Sequence, residues 1–147
     1  MEKKIYTGTQ INNSATLAFP AAEAIEDVRC KAVVLTADGV KVATGAAEPF
    51  MGIALITNDF PIAAGQDVHV QIKEIGLMEV GEAVTAGAEV TANAEGLAAP
   101  AAGGYVLGIA LANGEVGDRV FVQITKYKAG DAATAEEENT EEPEPQA

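Results

Sequence analysis

One β unit is written twice in this chain, and any fold it adopts has to accommodate both copies. Ala37-Asp38-Gly39, Gly52-Ile53-Ala54-Leu55 and the run Gly65-Gln66-Asp67-Val68-His69-Val70-Gln71-Ile72 recur as Ala94-Glu95-Gly96, Gly108-Ile109-Ala110-Leu111 and Gly117-Asp118-Arg119-Val120-Phe121-Val122-Gln123-Ile124. The repeated segments share turns and alternating strands but no repeated base or nucleophile. That pattern points to a scaffold or binding module, since catalysis needs convergent reactive groups.

The offset between the copies drifts from 57 residues at Gly39 and Gly96, through 56 at Gly52 and Gly108, to 52 at Gly65 and Gly117. The drift reads as a loop deletion, with Asn58 to Ala64 shortened to Ala112 to Val116. Loops absorb length change cheaply and ladders do not, so the copies fit a sheet that closes on itself with pseudo-twofold character.

Within each copy the expected elements are short strands. Val28 to Thr36 is β-branched and ends at Asp38-Gly39, whose glycine supplies the positive φ of a hairpin turn, and Val40 to Ala43 alternates beyond it. Phe50 to Thr57 and Tyr105 to Ala112 are nearly continuous apolar runs broken by one glycine, the mark of strands buried on both faces or closely approached by another backbone. Val68 to Ile72 alternates strictly. In the second half, Gly76 to Val80 leads to Val84 to Ala92, with a hairpin-type turn at Ala86-Gly87. The fold class expected is all-β: a small β-barrel or sandwich built from two similar β units. The one helix-like stretch is Pro20 to Asp27, long enough for one or two turns.

The chain divides into three parts on this reading. Residues 1–27 form an N-terminal arm ending in that helical turn, 28–129 the β-rich domain (repeats 28–72 and 84–124), and 130–147 an acidic disordered tail. In the arm, isolated apolar residues Ile5, Tyr6 and Ile11 stand in a polar, turn-prone stretch and could anchor on a partner surface. The tail carries seven of the acidic residues and no base, leaving −6 of the net −13 on the rest. It lacks the apolar bulk to offset ordering entropy.

Composition bounds the function. A body of roughly 130 residues buries about two-thirds of its unfolded surface. Its apolar content leans on Ala and Gly with no Trp, so the core is thin and homo-oligomerisation is expected to supply further burial. A net-negative body is a poor match for phosphates, so no direct nucleic-acid partner is expected. No apolar run reaches membrane-span length and no signal-peptide core opens the chain, which argues for synthesis in the cytoplasm and no membrane partner. Cys30, the single cysteine, reads as a small buried strand residue.

Reactive groups are sparse. His69, the only histidine, sits in an alternating strand and reads as structural, with no metal expected. Asp67 and Asp118, in the two Gly-x-x-Val turns, read as backbone partners of the Asx type. The glycine clusters Gly103-Gly104 and Gly114 to Gly117 lack the following helix of a phosphate cradle. No cofactor and no catalytic residue is expected.

The succession Val84 to Leu97 (VTAGAEVTANAEGL), Val106 to Ala112 (VLGIALA) and Gly114 to Ile124 (GEVGDRVFVQI) resembles tailed-phage capsid decoration, or cement, proteins, and the likeness extends over about Cys30 to Ile124. The resemblance implies a non-enzymatic virion protein on the outer capsid surface, a homotrimer whose partner is the major capsid protein and whose role is capsid stabilisation. The arm, through Ile5, Tyr6 and Ile11, is the expected capsid grip. Two other readings stand beside it. A head fibre or adhesin module binding host glycans would want aromatic platforms, and the chain has three Tyr and no Trp. A biotinyl or lipoyl carrier shares the hairpin grammar of Gly81 to Gly96 but needs a lysine at a hairpin tip. The turn here, Ala92 to Gly96, has none.

Overall fold

The computed structural model describes residues 14–129; the predicted arm anchors Ile5, Tyr6 and Ile11 and the acidic tail 130–147 lie outside them. The described residues form ten strands: β1 (Thr16–Pro20), β2 (Ala32–Thr36), β3 (Gly39–Val42), β4 (Gly52–Ala54), β5 (Asp67–Gln71), β6 (Glu74–Glu79), β7 (Glu89–Ala92), β8 (Ala98–Pro100), β9 (Tyr105–Ala110) and β10 (Arg119–Lys128). They make two five-stranded antiparallel sheets, ordered β1-β5-β4-β2-β3 and β6-β10-β9-β7-β8. The second order is the first with every strand advanced by five, so the duplication is carried through the whole topology. The fold is all-β with two similar units, as the repeat predicts.

Each sheet curls until its edges meet. Ala21 bridges Val40 in parallel, joining the end of β1 to β3, and Val80 bridges Ala98 at the same place in the second unit. The bridges Ile25 to Ile62 and Val84 to Gly114 are likewise equivalent. Closing the edges in this way leaves fewer unpaired ladder groups to attract another strand.

These bridges also show that the repeat starts earlier than its sequence signature. Phe19 faces Val68 across β1 and β5, and Met78 faces Val120 across β6 and β10, so β1 and β6 are equivalent strands. Thr16–Pro20 is therefore the first strand of a unit where the sequence suggests an arm. The helical turn expected at Pro20 to Asp27 is also replaced by extended chain. Ile25 exchanges both backbone bonds with Ile62, at 2.9 and 2.7 Å, while Ala21, Ile25 and Val28 all turn into the first core. A helix of eight residues would have to satisfy its nucleation cost alone, whereas the extended chain has ladder partners waiting.

Two strand boundaries also shift. β2 begins at Ala32 because Arg29 and Cys30 form a turn, with Cys30 at φ 60°. The apolar run from Phe50 to Thr57 contracts to Gly52–Ala54. In both copies the glycine of Gly-Ile-Ala-Leu is a close-approach site. A Cβ on Gly52 would lie 2.1 Å from the Gln71 carbonyl oxygen, and one on Gly108 2.0 Å from that of Gln123.

The packing of the units is not the like-for-like arrangement that pseudo-twofold character implies. The first unit encloses a core of Val28, Val33, Val40, Ala54, Ile62, Val68 and Val70. The second core runs through the second unit and takes in Ala32, Val34, Phe50 and Ile53 from the first. On β2 and β4, Ala32, Val34 and Ile53 alternate with the inward Val33 and Ala54, so they project from the outer face of the first sheet. Ile53, 1% exposed, reaches Gly76 and Ile124 at the open end of the second unit. Its equivalent, Ile109, is only half-buried. The units therefore stack head to tail: the outer face of the first closes the end of the second. Backbone bonds from Ala32 to Gly96, Glu79 to Cys30 and Tyr105 to Ala46, at 2.9 to 3.0 Å, lock the junction. The Lys126 ammonium donates to the Met51 carbonyl at 2.9 Å.

Candidate interaction surfaces

The residues singled out for chemistry are placed as structural parts. His69 stands exposed on the outer face of β5, opposite Ala18. Its backbone is held by Asn58, whose side chain accepts from the His69 N–H at 2.8 Å and donates to the His69 and Leu55 carbonyls at 2.9 Å each. Cys30 is buried, and that burial pushes its thiol pKa up. It sits in a turn and not in the predicted strand. Gly87, at φ 87°, occupies the same place in the second unit: each donates its N–H to the carbonyl of a strand's last residue, Cys30 to Ala54 of β4 and Gly87 to Ala110 of β9. The Asp118 carboxylate accepts the Glu115 N–H at 2.8 Å, an Asx-type bond. Its structural counterpart is Gln66, which accepts from Ala63 at 3.0 Å; Asp67 is one position out and pairs with Pro20 in the ladder.

Among the described residues there is no group of three or more His, Cys, Asp or Glu placed to hold a metal ion. No lysine stands at either hairpin tip. The β2–β3 loop is Ala37-Asp38, and the β7–β8 turn runs through Ala94 and Glu95 with Gly96 packed on Val42. Lys41 lies within β3, and Lys73 between β5 and β6.

Two surfaces stand out. At one, the loops that differ between the copies gather an Arg-aromatic cluster. Asp27 grips the Arg29 guanidinium with two bonds of 2.9 Å, and the guanidinium lies 3.6 Å from the centre of the exposed Phe60 ring. The Arg29 hydrogen bonds hold the Asp27 carboxyl down at about 2, and the Lys31 ammonium donates to the Asp27 carbonyl at 2.7 Å.

The second surface is the outer face of the second sheet. β10 pairs Phe121 with Leu77 and Gln123 with both Ile75 and Ile109, while Leu111 donates its N–H to the Phe121 carbonyl. Ile75, Leu77, Ile109, Leu111 and Phe121 thus form one apolar patch, with Phe121 55%, Ile75 51% and Leu111 45% exposed. It continues into a groove of about 170 Å³ at the junction of the units, lined by Ile53, Leu55, Ile56 and Leu77. The first sheet has Thr16, Ala18 and His69 where the second has Ile75, Leu77 and Phe121. Large exposed apolar patches of this kind mark interaction sites. Sequence reading passed over this one, although the change from His69 to Phe121 within an otherwise repeated strand was the available signal.

No protein-family description and no curated protein matches this sequence. Among solved structures, the chain is similar to the head fibre gp8.5 N base of bacteriophage phi29, at a TM-score of 0.50 and 17% identity, over 79% of this chain and 98% of that one. At that identity the likeness is one of fold.

Proposed function

We propose that this chain is a non-enzymatic structural protein of a phage head, binding the outer surface of the shell as a homotrimeric decoration protein and stabilising the major capsid protein lattice. The observation that carries the reading is the shared fold with a head fibre base, nearly the whole of which is matched. Two further features support it. The duplicated β scaffold offers broad surfaces, and on the outer side of the first two ladders the copies differ in polarity, Thr16, Ala18 and His69 against Ile75, Leu77 and Phe121. The net charge of −13 suits a protein that works outside the nucleic acid of a virion and keeps particles apart. Contacts with several neighbouring shell subunits would add by avidity, so each can be weak.

A second reading follows from the same likeness: the chain is the base that seats a fibre on the head and presents it to host glycans. Co-sedimentation with empty expanded heads of the phage that encodes the chain tests the shared part. Saturable pelleting and a raised head melting temperature are expected, and a chain left in the supernatant at tens of micromolar would overturn both readings. Cryo-electron microscopy of decorated heads separates them: regular occupancy across the lattice supports decoration, and occupancy confined to a few sites with projecting density supports the fibre base.

A further inference from the structure

We propose that the apolar outer face of the second sheet docks a second copy of this chain, receiving the open end of that copy's first unit and so repeating between chains the stacking that joins the units within one. This deepens the assembly part of the reading above and rests on it for the number of copies alone.

Each half of the within-chain contact has a free counterpart. In the chain, the outer face of the first sheet gives Ile53, which is covered. The second sheet's equivalent is Ile109, half-buried and extended by exposed Phe121, Leu111 and Ile75. The receiving end of the second unit is sealed, with Met78 and Leu107 at 0% and Ile124 at 8%. The equivalents at the first unit's end are Phe19, Met51 and Ile72, and all three are only partly buried. Among the described residues, one chain therefore offers one uncovered apolar face and one unsealed core end, the two halves of a contact it already makes once.

The outward substitutions point the same way. A face meant for solvent has no reason to exchange Thr16, Ala18 and His69 for Ile75, Leu77 and Phe121, since this adds exposed apolar area. The exchange falls on the unit whose face lacks a covering neighbour. The groove lined by Leu55, Ile56 and Leu77 makes the patch continuous with the existing junction. The contact between copies differs in detail from the one within, because Leu17 stands where Gly76 admits Ile53. Because the face and the end are different surfaces, the contact is heterologous, and such contacts close into rings when the rotation permits. Three copies would place six units in alternation around the ring.

The test uses the full chain and a triple variant, I75T/L77A/F121H, which gives the second sheet residues the first already carries at those positions and so respects the fold. Sedimentation equilibrium from micromolar to hundreds of micromolar is expected to show wild type at three times the 15.0 kDa chain mass. The variant's dissociation midpoint is expected to rise on the order of 100-fold, from loss of three apolar contacts. Circular dichroism checks that it remains folded. Ile72→Lys, at the other surface, should weaken assembly too. Mixing it with the triple variant should restore a discrete dimer, because each partner supplies the surface that the other lacks. A monomeric wild type, an undiminished variant, or failure of the mixture to pair overturns the proposal. So does a variant that keeps its assembly but no longer binds heads, which would assign the face to the shell. An assembly that depends on this face but ignores heads would uphold the proposal and sink the functional reading.

Discussion

Gly108→Ala is the most incisive perturbation of the repeat, because the structure separates two reasons for glycine that sequence merges. A methyl on Gly108 would sit 2.0 Å from the Gln123 carbonyl oxygen, 2.9 Å from its carbon and 3.0 Å from Val122 Cγ1. Carbon and carbonyl oxygen come no nearer than about 3.3 Å in ordinary contact, so β9 and β10 must part by more than an ångström. The ladder there pairs Val122 with Ala110 and Ile124 with Gly108. Losing two net hydrogen bonds at about 1 kcal/mol each, with strain of about 1–3 kcal/mol, gives roughly 3–5 kcal/mol. Against a total stability of about 5–15 kcal/mol that is a large fraction. Gly117→Ala is the control: its Cβ meets nothing within 4 Å, and only its φ of 94° resists. That variant should lose about 1 kcal/mol. The first unit supplies an independent repeat of the comparison, with Gly52 at 2.1 Å from the Gln71 oxygen and Gly65 at φ 85° with open space. Thermal melts followed by circular dichroism, at one fixed protein concentration so that assembly contributes equally, should place the close-approach variants about 10–15 °C below wild type and the turn variants about 4 °C below. Melting of Gly108→Ala and Gly117→Ala within a few degrees of each other would refute the reasoning.

Three other perturbations follow from the geometry. Asn58→Ala removes a buried side chain that makes three bonds across the β4–β5 end and strands the His69 N–H, so urea unfolding should show a loss of about 2–3 kcal/mol. Cys30→Gly should be more stable than Cys30→Ala by about 1 kcal/mol, because φ 60° favours glycine and the second unit already uses Gly87 there; equal melts would remove strain from the account. Asp27 is depressed from 3.8 to about 2 by its Arg29 bonds, so its ionised form stabilises the fold above the unfolded value and that contribution disappears as pH falls from 3.8 toward 2. The urea midpoints of wild type and Asp27→Asn should therefore differ modestly at neutral pH, the pair being partly solvated, and converge in acid; a constant gap would count against the ion pair.

What the sequence disclosed about this fold depended on what each position physically demands. The Gly-Ile-Ala-Leu strands were legible because a carbonyl at the Gln71 or Gln123 position leaves no room for a Cβ, so both copies keep glycine. The first strand of each unit was not legible as a repeat: Leu17-Ala18-Phe19 and Gly76-Leu77-Met78 share no residue, since alternation is all that the pairing requires. Pro20 to Asp27 looks helical by local preference, but the tertiary partners Val40 and Ile62 capture its backbone. Cys30 was hidden by its β-branched neighbours. Its backbone conformation could be read only by setting it against Gly87 in frame. The proposed anchors Ile5, Tyr6 and Ile11 lie outside the described residues, so the surface that stands out is one that the sequence reading passed over.

Comparison of the copies position by position separates folding from recognition within a single chain. Inward residues stay apolar, some of them identical, as Val68 with Val120, Val70 with Val122 and Ala54 with Ala110, others exchanged within the apolar class, as Phe19 with Met78 and Ile25 with Val84. Outward ones diverge in two opposite senses. On β2 the first unit carries Ala32 and Val34, covered by the second unit, where β7 has the exposed Glu89 and a Thr91 whose hydroxyl bonds the Tyr105 carbonyl. On the β1 and β5 side the sense reverses, and the second unit is the apolar one. A pair stacked about a symmetric interface would drive both outer faces toward one composition, because each would bury the same patch. Opposite drift on two halves of the same face is what directional stacking requires, since one half is spent inside the chain and the other is left at its end.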